Sequence, residues 1–203
     1  MTPEDVETFE RCISVGGVAV FPADTVYGLA TEPDSREGVE RLYRLKGRLP
    51  DKPSAVMFFQ LESAFAALPE LSDRMRAVLG CLLPGPVTVL VANPARRFPL
   101  ACGIEPDKLG IRVPALEGEL GPLTTVRWPV LQSSANRAGE ADARRAEDVD
   151  PALRDGADLI LDAGELPGTP STVVDLSTWE EDGTMDLVRE GALPLDAVLA
   201  CLG

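Results

Sequence analysis

Apolar and polar positions along this chain alternate between a helical and a strand rhythm. Thr2-Pro3-Glu4-Asp5 opens a capped helix with proline at the first helical position, Val6, Phe9 and Ile13 form its buried face, and Gly16-Gly17 ends it. Val18–Phe21 reads as a short buried strand running into Pro22–Ala30, where a polar interruption sets Asp24, Thr25 and Tyr27 at a strand end. That interruption reads either as a tight turn beside a buried tyrosine or as part of a small-molecule site. Ser35 caps a second helix with Val39, Leu42 and Tyr43 on one face, and Gly47 stops it. Ser54–Phe59 reads as a strand, and residues 61–67 and 72–83 as helices, the second with Met75, Val78, Leu79 and Leu82 inward. Pro84-Gly85-Pro86 breaks the chain before the strand Val87–Val91, and 92–108 is a loop. The strand Leu109–Val113 carries Arg112 amid apolar neighbours, where it must point to solvent or meet an anion. Residues 115–128 read as a poor helix, and Val130–Asn136 as a strand ending in small polar residues. Residues 139–165 hold nine acids and three bases and read as a solvated helix with flanking loops. Asp158–Asp162, Ser171–Leu176 and Met185–Arg189 are further strands, and 194–202 is a closing helix. With no repeat, linker or low-complexity segment, the pattern predicts a single α/β domain over 1–203.

Composition narrows the chemistry. Thirty-three acids against nineteen bases give a net charge of −14, which argues against coating nucleic acid by bulk electrostatics. The chain has no histidine, which excludes Ser-His-Asp and Cys-His nucleophile systems, HExxH metal sites and a histidine base. Neither a GxxxxGK[ST] loop nor a GxGxxG fingerprint is present. Catalysis, if any, comes from positioning and fixed charge. The cysteines at 12, 81, 102 and 201 are widely spaced and suggest reduced thiols in a cytoplasmic protein rather than a disulfide or metal framework. The acidic, polar start does not read as a signal peptide, and no apolar run approaches a membrane span.

Against that acidic background one stretch stands out. Residues 36–52 contain six of the nineteen basic side chains (Arg36, Arg41, Arg44, Lys46, Arg48 and Lys52) and only three acids. A compact positive site calls for a polyanion such as a phosphate chain. The competing explanation is a lysine favoured by the helix dipole, followed by a solvated loop.

Seven blocks then follow one another in order: Pro22-Ala-Asp-Thr-Val-Tyr-Gly-Leu29, Lys46-Gly-Arg48, Leu83-Pro-Gly-Pro-Val-Thr88, Ile111-Arg-Val-Pro114, Ser133-Ser-Ala-Asn136, Ser171-Thr-Val-Val-Asp175 and Arg189-Glu-Gly191. In this order the chain resembles the Sua5/YciO/YrdC family in its short form, over roughly residues 10–192, with the KxR…SxN signature at Lys46-x-Arg48 and Ser134-x-Asn136. The resemblance implies a twisted, mostly mixed sheet with flanking helices and a concave basic cleft. It also implies L-threonylcarbamoyladenylate synthesis from L-threonine, bicarbonate and ATP, with Mg²⁺ carried on the ATP phosphates and no metal held by protein side chains. The implied partners are tRNA or the proteins that transfer the threonylcarbamoyl group to tRNA adenosine 37, with no membrane. By motif, Thr25, Arg112, Ser134 and Ser171 match residues that hold the threonine or carbamate end. Lys46, Arg48, Asn136 and Arg189 match those that hold ATP, with Lys46 and Arg48 at the reacting phosphates, and Lys52 and Arg144 stand at outer nucleotide positions. The chain departs from the family pattern at Leu49, Met57, Arg144 and Glu190, where many members have proline, histidine, Ser/Thr and proline. An RNA-binding module, including one for double-stranded RNA, and a weakly active YciO-type paralogue are the alternatives that the resemblance leaves open.

Overall fold

Among residues 1–49 and 51–203, which the computed structural model describes, nine strands form one sheet; Pro50, inside the basic stretch, lies outside them. The strands are β1 (Ala19–Pro22), β2 (Tyr27–Thr31), β3 (Ala55–Met57), β4 (Val87–Ala92), β5 (Lys108–Arg112), β6 (Val130–Ser134), β7 (Leu159–Ile160), β8 (Thr172–Asp175) and β9 (Asp186–Arg189). Their order is β7-β1-β2-β6-β3-β5-β4-β8-β9. Three neighbouring pairs, β1 with β7, β3 with β5 and β4 with β8, run parallel, and the rest antiparallel. The helices are α1 (Pro3–Ser14), α2 (Arg36–Lys46), α3 (Leu61–Ala67), α4 (Asp73–Leu82), α5 (Pro151–Gly156), α6 (Trp179–Asp182) and α7 (Leu195–Leu202).

Local chemistry explains the helix ends. The Thr2 hydroxyl accepts from the Asp5 amide at 3.2 Å while the Asp5 carboxylate accepts from the Thr2 amide at 2.7 Å, a closed capping box for α1. Ser35 accepts from the Gly38 amide to start α2, and Gly47 ends it in the left-handed conformation, φ 64°, that glycine adopts without a Cβ penalty.

The two sheet faces are covered differently. Val18, Val20, Leu29, Val56, Val89, Ile111, Leu131 and Val174 point to one face and pack against α2, α4, α5 and α7 in the main core. Successive side chains alternate, so Ala19, Phe21, Ala30, Met57 and Val130 point to the other face, where Val6, Phe9 and Ile13 of α1 cover them. Ring centroids of Phe9 and Phe21 lie 5.5 Å apart, and those of Phe9 and Phe59 lie 5.9 Å apart. The rest of this second face is left open.

The polar stretch after β1 is a turn over Ala23–Val26 beside a fully buried Tyr27, the first of the two readings, and Tyr27–Thr31 returns as β2. Several other expectations are corrected. Ser54–Phe59 pairs only over Ala55–Met57. The acidic segment 139–165 is not a solvated helix: it holds a short 3-10 turn at Ala146–Asp148, the six-residue α5 and the two-residue β7. Gly139 and Pro151 interrupt it, and Ala143, Ala146, Val149 and Leu153 anchor it in the core. Residues 115–128 form a 3-10 turn at Gly118–Thr125. Two of the four cysteines, expected as thiols, are joined: Cys81 of α4 and Cys201 of α7 form a disulfide, while Cys12 and Cys102 are free. Their separation of 120 residues gives no hint in sequence that α4 and α7 pack side by side.

Candidate active site

On the open part of the second face lies a cavity of about 300 Å³. Its floor comes from short side chains at alternating strand positions, Gly28, Ala55 and Gly110, with Gln132, Thr88 and Leu90 beside them. A Cβ added at Gly110 would stand 3.2 Å from Leu90 and 3.4 Å from Ala55, so glycine there brings a bound molecule against the backbone. Arg48, Arg112 and Arg189 line the cavity, and among the described residues no carboxylate does. A second opening of about 360 Å³ adjoins it through Arg48 and Ser134, and is lined also by Lys46, Lys52 and Asn136.

The deep end is held by an ion pair. Arg112, the last residue of β5, is 4% exposed, and its Nη2 donates to Asp24 Oδ1 at 2.5 Å and to Thr25 Oγ1 at 2.6 Å. Asp24 also accepts from the Ala115 amide at 3.0 Å. The anion that Arg112 requires is thus supplied in part by the chain. Its Nε remains buried with no partner among the described residues. Opposite, Arg189 of β9 donates to the Ser171 carbonyl at 2.7 Å and to its hydroxyl at 3.2 Å, and the Ser171 hydroxyl lies 3.1 Å from that of Thr88. Burial lowers the Arg189 pKa; nearby Asp142 opposes this and the Arg112 charge reinforces it. Gly191 allows the β9 exit to press on Ser171: a Cβ there would stand 2.3 Å from the Pro170 carbonyl oxygen.

The outer end is organised by Lys46. Its side chain, on the last turn of α2, is buried, and its ammonium donates to the Ser134 carbonyl at 2.5 Å, the Asn136 carbonyl at 2.8 Å and Asn136 Oδ1 at 2.7 Å. Its three protons are shared among four oxygens, the fourth being the Ser134 hydroxyl at 3.3 Å, and that hydroxyl donates to the same Asn136 oxygen at 2.6 Å. Burial pulls the Lys46 pKa down to about 8, Arg48 acts in the same direction and Asp142 opposes it. Arg48 stacks toward the Tyr43 ring, 6.0 Å from its centroid, and donates to the Pro53 carbonyl, and its Nε is buried with no partner among the described residues. Lys52 is exposed at the rim.

Of the ten residues expected from sequence, Thr25, Lys46, Arg48, Lys52, Arg112, Ser134, Asn136, Ser171 and Arg189 gather around these two connected hollows. Arg144 does not: its guanidinium is 2.7 Å from Glu165 and donates to the Leu166 carbonyl, and it lines neither opening. Met57 pairs with Arg112 across β3 and β5 and is fully buried under α1. Thr88 and Gln132 were assigned no role from sequence, and Asp24 was noted only within the polar interruption after β1. An arginine inside an apolar strand was the signal for a buried counter-ion, and a threonine alternating with valines in β4 was the signal for a polar face.

The Sua5/YciO/YrdC family model, described as telomere recombination, matches residues 11–191. A threonylcarbamoyl-AMP synthase of Pyrococcus abyssi is 29% identical over 192 residues, covering 94% of this chain, which spans only 55% of that relative. Threonylcarbamoyl-AMP synthases of Chromohalobacter salexigens and Pseudomonas aeruginosa are 33% and 34% identical, covering 81% and 84% of this chain and 89% and 91% of theirs. The crystal structure of P. abyssi Sua5 complexed with L-threonine superposes with a TM-score of 0.87 at 26% identity, covering 100% of this chain and 58% of that one. E. coli YciO shares the fold, with a TM-score of 0.79 at 22% identity over 97% of this chain and 94% of that chain.

Proposed function

This chain belongs to the Sua5/YciO/YrdC family, and from that premise we propose that it is an L-threonylcarbamoyladenylate synthase. The observation that carries the reading is convergence: cations and hydroxyls from blocks spread over residues 25–189 meet at one carboxylate-free hollow on a sheet face. The relatives named for that activity cover most of the chain.

In this reading the threonine amine and bicarbonate give a carbamate with loss of water. A carbamate oxygen attacks the α-phosphorus of ATP, the bond from that phosphorus to the bridging oxygen breaks, and diphosphate leaves. Both reactants are anions, so their approach is repelled in water. Arg112, Thr25 and Ser171 hold the amino-acid carboxylate and carbamate at the deep end. Arg48, Lys52 and Arg189 face the phosphate chain, and Lys46 backs it with a buried charge while its protons hold Ser134 and Asn136 in place. Fixed donors aimed at developing charge act without reorganising, worth about 10²–10³ in rate for each well-placed group. ATP arrives as its Mg²⁺ complex; the lining offers cations and hydroxyls rather than carboxylates, so the ion is held by the phosphates. Product passes to the machinery that modifies tRNA.

The test is purified protein with ATP, bicarbonate and L-threonine, followed by mass spectrometry for threonylcarbamoyl-AMP and an assay for diphosphate. Product that appears only when threonine is present is the expected result. ATP turnover without threonine, or no product at all, removes this reading.

A further inference from the structure

We propose that Asp24 is a positioning and selectivity residue, which aims Arg112 and cancels enough of its charge to reserve the deep end of the cleft for a single carboxylate. The inference deepens the synthase reading and rests on it for the identity of that carboxylate.

Asp24 cannot itself meet a substrate. It sits in the turn between β1 and β2 with its side chain 5% exposed, one oxygen on Arg112 Nη2 at 2.5 Å and the other on the Ala115 amide at 3.0 Å. It is absent from the lining of both openings. Whatever it contributes to the cleft therefore passes through its partners, and of these Arg112 is the one that lines the cavity.

Two consequences follow from that geometry. The first is aim. An arginine at the end of a strand has four rotatable side-chain bonds, and Asp24 and Thr25 both seize the same nitrogen, Nη2. The guanidinium is thereby fixed with Nε enclosed and without a protein partner, the kind of buried donor that a ligand satisfies. A carboxylate arriving there meets a planar fork already oriented.

The second is charge. Arg112 lies near enough to Arg189 that its charge disfavours the Arg189 cation. Without Asp24 the deep end would carry the uncompensated charge of Arg112 and compete with Arg48, Lys52 and Arg189 for the phosphate chain. With Asp24 behind Arg112, the strongest attraction for polyanions stays at the outer end, and the deep end takes one carboxylate. Orientation and charge thus predict opposite signs when the carboxylate is neutralised.

Calorimetric titration of L-threonine and of inorganic diphosphate against wild type, Asp24→Asn and Asp24→Glu separates them. Asp24→Asn should weaken threonine binding by roughly 10- to 100-fold, as loss of aim does. It should tighten diphosphate by at least about threefold, because a nearby negative charge is gone. Asp24→Glu keeps the charge and displaces it, so threonine weakens while diphosphate is unchanged. A residue that merely stabilised the turn would lower the unfolding temperature and move neither affinity. If Asp24→Asn leaves both affinities within twofold of wild type, the proposal is overturned. If that variant does not fold, unchanged threonine affinity in Asp24→Glu overturns it instead. A wild-type protein that makes no threonylcarbamoyl-AMP removes the synthase reading, while the diphosphate comparison still decides the electrostatic role of Asp24.

Discussion

Two residues apart on the same strands, one sheet face changes character. At Ala30, Met57 and Val130 it is closed by α1, with Phe9 set against Phe21 and Phe59. At Gly28, Ala55 and Gln132, on those same three strands, it is open and forms the floor of the cavity. Arg112 marks the border, paired in register with Met57 on the closed side and with Thr88 on the open side. The cleft therefore needs no separate architecture. It exists because side chains shorten and α1 ends, and the polar groups around it are held in place by the packed half next door.

The largest expected effect tests that dependence from the packed side. Phe9→Ala empties the centre of the aromatic cluster and should cost about 3–5 kcal/mol in unfolding free energy. Urea titration measures the loss, and kcat at a temperature where the variant stays folded should change little. Arg48→Ala attacks the open side: diphosphate release should fall by about 10²–10³, or roughly 2.7–4 kcal/mol, with an unchanged unfolding midpoint. Normal turnover in that variant would remove Arg48 from the phosphate site. Ala55→Leu makes the open half resemble the closed one. Nucleotide affinity should drop by about tenfold or more, while stability moves by no more than about 0.5 kcal/mol, because the new side chain fills empty space.

The smallest effect is a pH dependence. Lys46 is buried, and its pKa is lowered to about 8 from 10.5. The KM for ATP should be flat below pH 8 and rise above it, by up to about tenfold per unit, as the buried ammonium is lost. The sign for stability is opposite. Between pH 8 and 10.5 the unfolded chain holds a proton that the folded chain has released, so this group favours folding more as pH rises. An ATP KM that is level from pH 7 to 10 would show that the Ser134 and Asn136 oxygens keep the ammonium charged throughout.

Legibility followed the range of the interactions. The faces of α1, α2 and α4 were readable because Val6-Phe9-Ile13, Val39-Leu42-Tyr43 and Met75-Val78-Leu79-Leu82 repeat with the helix period, and Thr2, Ser35 and Gly47 are local signals for the ends of α1 and α2. The segment 139–165 misled because its charge suggested solvent, while four apolar residues spaced through it were enough to anchor an irregular path. Nine of the ten residues that the ordered motifs single out gather around the hollows, and Arg144 lies apart because its nearest carboxylate, Glu165, is brought to it only by the fold.

What the residues determine unaided is the faces of α1, α2 and α4, the surplus of acid that makes the 36–52 cluster conspicuous, the absence of histidine chemistry, and the motif order that marks the family. The tertiary structure alone decided that Asp24 faces Arg112 across 88 positions, that Lys46 spends its three protons on Ser134 and Asn136, and that Cys81 meets Cys201. The reason is physical. Helix periods and caps are set by atoms a few residues apart, whereas a counter-ion, a saturated ammonium or a disulfide depends on which strands and helices become neighbours, and that is settled by burying the whole sheet at once.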